Sequence, residues 1–251
     1  MIILPILFFI TAILYSSVGF GGGSTYLALL LIWDIPYNVF PIIALICNII
    51  VVSGNSFNYI RAGNHNIKLL IPFLVGSIPS AFLGGAIKID IDIFEILLFF
   101  VLSIAGLLLL ISNKSYENNY QIIRKLHFSF SLIIGIILGF ISGIIGIGGG
   151  IFLSPILFLL KAERPAVIVT TASLFILINS ISGIFGQLTK ENIFVELLNY
   201  LPLFVCVLIG GLFGNYLNLK IFTSRVLAII TSLLVIFVSI RMGIRIFINY
   251  I

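Results

Sequence analysis

The chain has 251 residues, of which 61% are hydrophobic and 8% charged, with 13 Lys+Arg against 8 Asp+Glu and a net charge of +5. A soluble domain carries about 25% charged residues, so this composition excludes a soluble enzyme, a nucleic-acid binder and a disordered chain. The apolar bulk also exceeds what one core of this length can hold. Lipid is the solvent, and the basic excess reads as a topology signal rather than an affinity for nucleic acid.

In chain order, a Gly-interrupted apolar segment at 2–32 comes first, followed by apolar runs near 37–60, 66–88 and 92–112. No Lys or Arg precedes Arg61, so no signal peptide is expected. A polar stretch at 113–127 follows. Then come a second Gly-interrupted segment at 128–160 and runs near 166–187, 197–219 and 222–248. A spanning helix needs about 20 apolar residues. Open sheet edges cannot face hydrocarbon, and the period-2 alternation of a membrane barrel is missing, so the segments are expected to be helices. Cys47 and Cys206 lie in apolar runs and are read as packing residues. No metal site and no cofactor is expected.

The two halves resemble each other. Gly19-Phe-Gly-Gly-Gly23 pairs with Gly146-Ile-Gly-Gly-Gly150, Asp34-Ile-Pro36 with Glu163-Arg-Pro165, and the run from Pro72 to Gly84 with that from Pro202 to Gly214. The pairs keep one order and nearly one offset, which argues for duplication. The expected fold is an all-α polytopic membrane protein. Residues 1–112 form a first repeat, 113–127 a central cytoplasmic loop and 128–251 a second repeat. Each repeat is a Gly-broken segment followed by three transmembrane helices. Internal repeats of this kind characterise secondary transporters, whose substrates bind where the repeats meet.

Consecutive glycines disfavour a helix by about 1 kcal/mol each relative to Ala. They suit a place where the chain breaks or brings its backbone close to something else. Each run precedes a short apolar stretch, long enough for half a bilayer, whose N-terminus would carry unpaired N–H groups and a partial positive charge. Two such ends meeting near the midplane would make an anion site without a buried Lys or Arg. The candidate site residues are therefore Gly21, Gly22, Gly23 and Ser24 with Gly148, Gly149 and Gly150. Polar residues on the helix after each break join them: Asn48 and Asn55 in the first half, Thr171, Ser173 and Asn179 in the second. Interhelical hydrogen bonding is an equal reading of the polar residues. Gly135, Gly139 and Gly143, spaced by four, are assigned to close helix packing. A dinucleotide or P-loop reading of the glycines lacks the strand, the acidic partner and the Lys.

Two threadings are possible. If each Gly-rich segment crosses once, the halves run parallel and the Lys and Arg residues divide eight to five between the two faces. If each re-enters as a hairpin, the halves are inverted. One face then holds Arg61, Lys68, Lys114, Arg124, Lys125, Lys161, Arg164, Lys220 and Arg225, nine against four. The positive-inside bias favours the inverted hairpin. Length agrees, since about 31 residues of helix reach roughly 46 Å, too long for one crossing and too short for two.

These residues resemble the sulfite exporter TauE/SafE family, also called the four-toluene-sulfonate uptake permeases. The resemblance rests on the run from Gly139 to Leu157, on Val18-Gly-Phe-Gly-Gly-Gly-Ser-Thr-Tyr-Leu27, and on Pro-x-x-x-Gly-Ser-x-Pro-Ser-x-x-x-Gly-Gly at 72–85. The first-half motif departs from the second, with Thr-Tyr-Leu where the second has Phe-Leu-Ser-Pro. The resemblance implies a multi-pass transporter in a bacterial cytoplasmic membrane, moving sulfite, an organosulfonate or a related sulfur or carboxylate anion. The partners expected are that small anion and the lipid bilayer, with no nucleic acid; a homodimer stays open. An intramembrane enzyme would need a buried acid–base or nucleophile pair, and none is visible. The alternatives are a non-transporting scaffold or accessory subunit, or a carrier of a cation or neutral solute.

Overall fold

The computed structural model describes residues 3–17, 19–33, 35–112, 123–190, 197–217 and 224–250. Residues 113–122 of the expected central loop, and Asp34 of the Asp-Ile-Pro motif, lie outside them. Among the described residues there is no strand. The helices are α1 (Ile3–Ser16), α2 (Gly23–Ile32), α3 (Phe40–Arg61, entered by a 3-10 turn), α4 (Ile67–Ala86), α5 (Ile91–Ser112), α6 (Phe128–Ile145), α7 (Gly150–Leu159), α8 (Pro165–Gln187), α9 (Leu201–Leu217) and α10 (Ser224–Tyr250). Local sequence explains several of their ends. Pro165 opens α8 at its first position, where a missing N–H has no consequence. The Asn66 side chain caps α4 by accepting from the Leu69 N–H at 3.2 Å. Gly146 ends α6 in the left-handed conformation.

Among the described residues five helices are long and apolar enough to cross a membrane: α3, α4, α5, α6 and α8. The chain is a multi-pass membrane protein, and its surface fits that solvent. On α4, Ile71, Val75, Ile78 and Phe82 form an exposed apolar stripe, and Leu201, Val205, Leu208 and Leu212 do the same on α9. Water would strongly disfavour such stripes. α3 and α8 are the most enclosed spans and form the centre of the bundle.

Interlocking contacts give the helix directions. Gly135, Gly139 and Gly143 of α6 lie on the carbonyl oxygens of Phe73, Ser77 and Ala81, so α6 runs parallel to α4. The packing assigned to this glycine stripe is what is seen. Gly210 and Gly214 of α9 lie likewise on the carbonyls of Phe9 and Ile13, so α1 and α9 are parallel. Ser182 bonds the Ile78 carbonyl and Gly186 abuts that of Phe82, which makes α8 parallel to α4. α3 opposes α8: Ser56 meets Ser173 while Leu45 meets Gly183. α5 opposes α10, with Ser103 against Ser239 and Phe99 against Gly243.

α6 and α8 therefore point the same way, and α7 must return between them. α6 alone is 18 residues, about 27 Å, so the second Gly-broken segment is deeper than a shallow hairpin. It is an 18-residue helix, a glycine passage at positive φ and a 10-residue helix back toward the end of the bundle it left. Both of its ends lie with the α3–α4 connection. The Arg124 N–H donates to the Lys161 carbonyl at 3.1 Å, and Asn66 Nδ2 donates to Glu163 at 3.0 Å. Glu95 has its carboxylate buried in the protein, where it accepts from the Tyr37 hydroxyl.

Candidate functional site

Two short helices start in the interior of the bundle. α2 and α7 are each 10 residues long, and each follows a glycine in the left-handed conformation, Gly22 at φ 83° and Gly149 at φ 75°. A side chain at either position would be strained, so these glycines let the chain turn sharply into a helix at depth. The start of α2 lies against Asn48, near the middle of α3, and the start of α7 lies against Ala172 and Ile176, near the middle of α8. Each short helix then runs back along the first half of the long helix that follows it. Their N-termini thus meet at mid-depth, each leaving first-turn N–H groups without helical partners.

The two glycine runs touch. A Cβ at Gly23 would lie 2.8 Å from the Ile147 carbonyl oxygen and 2.7 Å from Asn48 Nδ2. Asn48 is fully buried between the runs. Its Nδ2 donates to the carbonyls of Ile147 at 3.0 Å and Gly146 at 3.4 Å. Two carbonyl acceptors fix the amide orientation, so Oδ1 faces Gly21 and has no partner. Across the contact, Ile176 touches Gly148 and Gly150 as Asn48 touches Gly21 and Gly23.

A cavity of about 10 Å³, room for one water, remains at this junction. Gly21, Gly22, Gly23 and Ser24 line it, with Tyr15, Phe20, Leu109, Ile147, Ile151 and Ile176. The Ser24 hydroxyl is buried there without a partner, and so is that of Ser180, which faces Gly148. Buried polar atoms left unpaired cost about 1–3 kcal/mol each, so three of them around one junction is an expensive arrangement unless a ligand visits. Tyr15 is satisfied by its 2.6 Å hydrogen bond with Thr25. Among the described residues Glu95 is the one buried charged side chain, and it lies at the start of α5, away from this junction.

The predicted site residues thus divide. Gly21, Gly22, Gly23, Ser24, Asn48, Gly148 and Gly150 come together. Gly149 faces away, towards Phe175 and the Leu138 carbonyl. Asn55 is fully buried on α3, two turns beyond Asn48 and next to Ser56. Thr171 spends its hydroxyl on the Val167 carbonyl of its own helix, at 2.8 Å. Ser173 pairs with Ser56 across helices at 3.0 Å, the interhelical reading. Asn179 donates to the Phe175 carbonyl at 2.8 Å and leaves Oδ1 buried and unpaired. Ile176, Ile147 and Tyr15 were not among the candidates. Nothing in the type of an Ile marks it as lining a site, and only its place opposite the glycines does.

The model of the family described as "Sulfite exporter TauE/SafE" matches residues 4–242. The chain is 26% identical over 235 residues to the probable membrane transporter protein y4hK of Sinorhizobium fredii, covering 92% of this chain and 93% of that one. It is 24% identical over 259 residues to the probable membrane transporter protein YunE of Bacillus subtilis, covering 93% and 94%. No solved structure matches it. A glycine-broken, multi-pass helical chain matched from end to end by this model is a membrane transporter rather than an enzyme, and it belongs to the TauE/SafE sulfite exporter family.

Proposed function

We propose that this transporter moves a small anion by alternating access, binding it between the N-termini of α2 and α7. Sulfite, an organosulfonate or a related sulfur or carboxylate anion is the substrate class. The observation that carries the reading is the meeting of two helix N-termini at mid-depth beside unpaired polar groups. Each helix end presents roughly half a positive charge, so the pair offers an anion about one full charge. The Ser24 and Ser180 hydroxyls can donate. A turn of the Asn48 amide would move Nδ2 from the Ile147 carbonyl to a substrate oxygen.

An oxyanion needs several times the space of one water, so the present cavity is a closed state and binding requires the halves to part. Alternating access follows if residues 1–112 and 128–251 are inverted repeats. The helix directions support this. α1 with α9 mirrors α6 with α4, both parallel, while the central α3 and α8 oppose each other, as α5 and α10 do. Arg61, Lys68, Arg124, Lys125, Lys161 and Arg164 collect at one face, which the positive-inside bias assigns to the cytoplasm of a bacterial cell.

Proteoliposome flux tests the site. Wild-type protein is expected to carry at least one of sulfite, thiosulfate, an alkyl sulfonate or a small carboxylate. Gly23→Ala puts a methyl between Asn48 and Ile147 and is expected to lower flux at least about tenfold, equivalent to about 1.4 kcal/mol. Wild-type flux in Gly23→Ala, or no anion flux in the parent, would overturn the reading.

A further inference from the structure

A second cavity lies at the face opposite Arg61 and Lys161. It measures about 440 Å³ and is walled by the α2–α3 connection and start of α3 (Pro36, Tyr37, Asn38, Pro41), the α4–α5 connection (Lys88, Ile89, Ile91), Phe94, Ile144, and the end of α8 (Gln187, Lys190). Two of its walls bring in cations from separate connections, Lys88 exposed and Lys190 half-buried. Its floor leads to the glycine run of the second half. Pro41 packs against Gly146, whose Cβ would lie 2.5 Å from the Pro41 Cα, and buried Gln187 donates to the Gly143 carbonyl at 2.7 Å. From Pro41 to Asn48 is two turns of α3, about 11 Å.

We propose that this cavity is a second, outer anion site, a vestibule in which Lys190 and Lys88 hold a small oxyanion before it reaches the glycine junction. The inference rests on the anion-transport reading above for its purpose, though not for its test. Burial and the neighbouring Lys88 hold the Lys190 amine down at about 8 from the usual 10.5. Burial and the nearby Lys88 both disfavour the Lys190 ammonium, and an anion seated beside it relieves that cost. The other ionisable groups around the cavity are Tyr37 with its partner Glu95, and Asp90 and Asp92 beside Lys88 and Ile91. Glu191 lies outside the described residues. Because the Lys190 charge is present below about pH 8 and lost above it, anion capture should weaken as pH rises through that value. Lys190→Arg should keep it at higher pH, and Lys190→Gln should remove the step.

The oxyanion could be free in solution or the phosphate of a lipid headgroup, and the experiment separates them. A membrane-impermeant amine reagent is applied to intact cells and to proteoliposomes at pH 8, and modification of Lys190 is read by mass spectrometry. Sulfate is the probe, with chloride at matched ionic strength as control. The expected result is labelling from outside the cell, slowed about three- to tenfold by sulfate in phosphatidylcholine vesicles, as a bound counter-ion in a focused field would do. That protection should be lost in Lys88→Gln. Failure to label from outside, no protection by sulfate, or protection only by phosphatidylglycerol would each overturn the vestibule. In flux assays, Lys190→Gln should raise KM several-fold for anion supplied at this face and leave kcat unchanged. A wild type that carries none of the anions while sulfate still protects Lys190 would sink the transport reading and leave the vestibule standing.

Discussion

Ser24 shows how one side chain separates binding from folding. Its hydroxyl is buried, unpaired and lines the junction cavity. Removing an unsatisfied buried hydroxyl is neutral or stabilising, by up to about 1 kcal/mol. A group kept only for packing would therefore be improved by its loss. Ser24→Ala is expected to keep or raise the melting temperature while weakening anion affinity at least about tenfold, the worth of one hydrogen bond to a charged partner. Thermal shift with and without thiosulfate checks both halves, and unchanged affinity would return Ser24 to packing. Asn48 is the contrasting case. Its Nδ2 is already bonded to the Gly146 and Ile147 carbonyls, so truncating it would mix structural and functional effects.

Among elements, α4 and α6 form the closest pair, backbone on backbone. Gly76 and Gly84 of α4 lie on the Leu132 and Phe140 carbonyls while Gly135, Gly139 and Gly143 of α6 lie on those of Phe73, Ser77 and Ala81. Lipid gives no hydrophobic drive for helices to associate, so close backbone approach and its dispersion contacts must hold them together. Gly139→Leu would force the pair apart at its centre and is expected to abolish the folded monodisperse protein on size exclusion in detergent. Gly63→Ala, at an exposed turn with φ 73° and open space around it, should cost only about 1–2 kcal/mol of backbone strain and leave the profile intact. A normal profile for Gly139→Leu would contradict the packing account. Spacing alone marked this stripe, because four residues return to one face of a helix.

For the whole molecule, the glycine motifs and the apolar runs made the elements legible. The runs near 37–60, 66–88 and 166–187 became α3, α4 and α8 with small shifts at their ends. The depth of the second Gly-broken segment was less legible. Total length suggested a hairpin, but Gly146, Gly148 and Gly149, all at positive φ, turn the chain between the 18-residue α6 and the 10-residue α7. Of the residues expected at the site, the glycines other than Gly149, Ser24 and Asn48 come together at the junction, whereas Thr171 and Ser173 turn their hydroxyls to the Val167 carbonyl and to Ser56, as a hydroxyl on a helix can. Ile176 was invisible, since its place opposite the glycines comes from the packing of α8 against α7.

Transport through this bundle requires an anion lying between two helix ends that carry no cation. Crystals grown with selenite, measured at the selenium edge, test it directly. An anomalous peak is expected between the first turns of α2 and α7, within hydrogen-bonding distance of Ser24 and the Gly150 N–H. A peak at the Lys88–Lys190 cavity alone, or none inside the bundle, would contradict it.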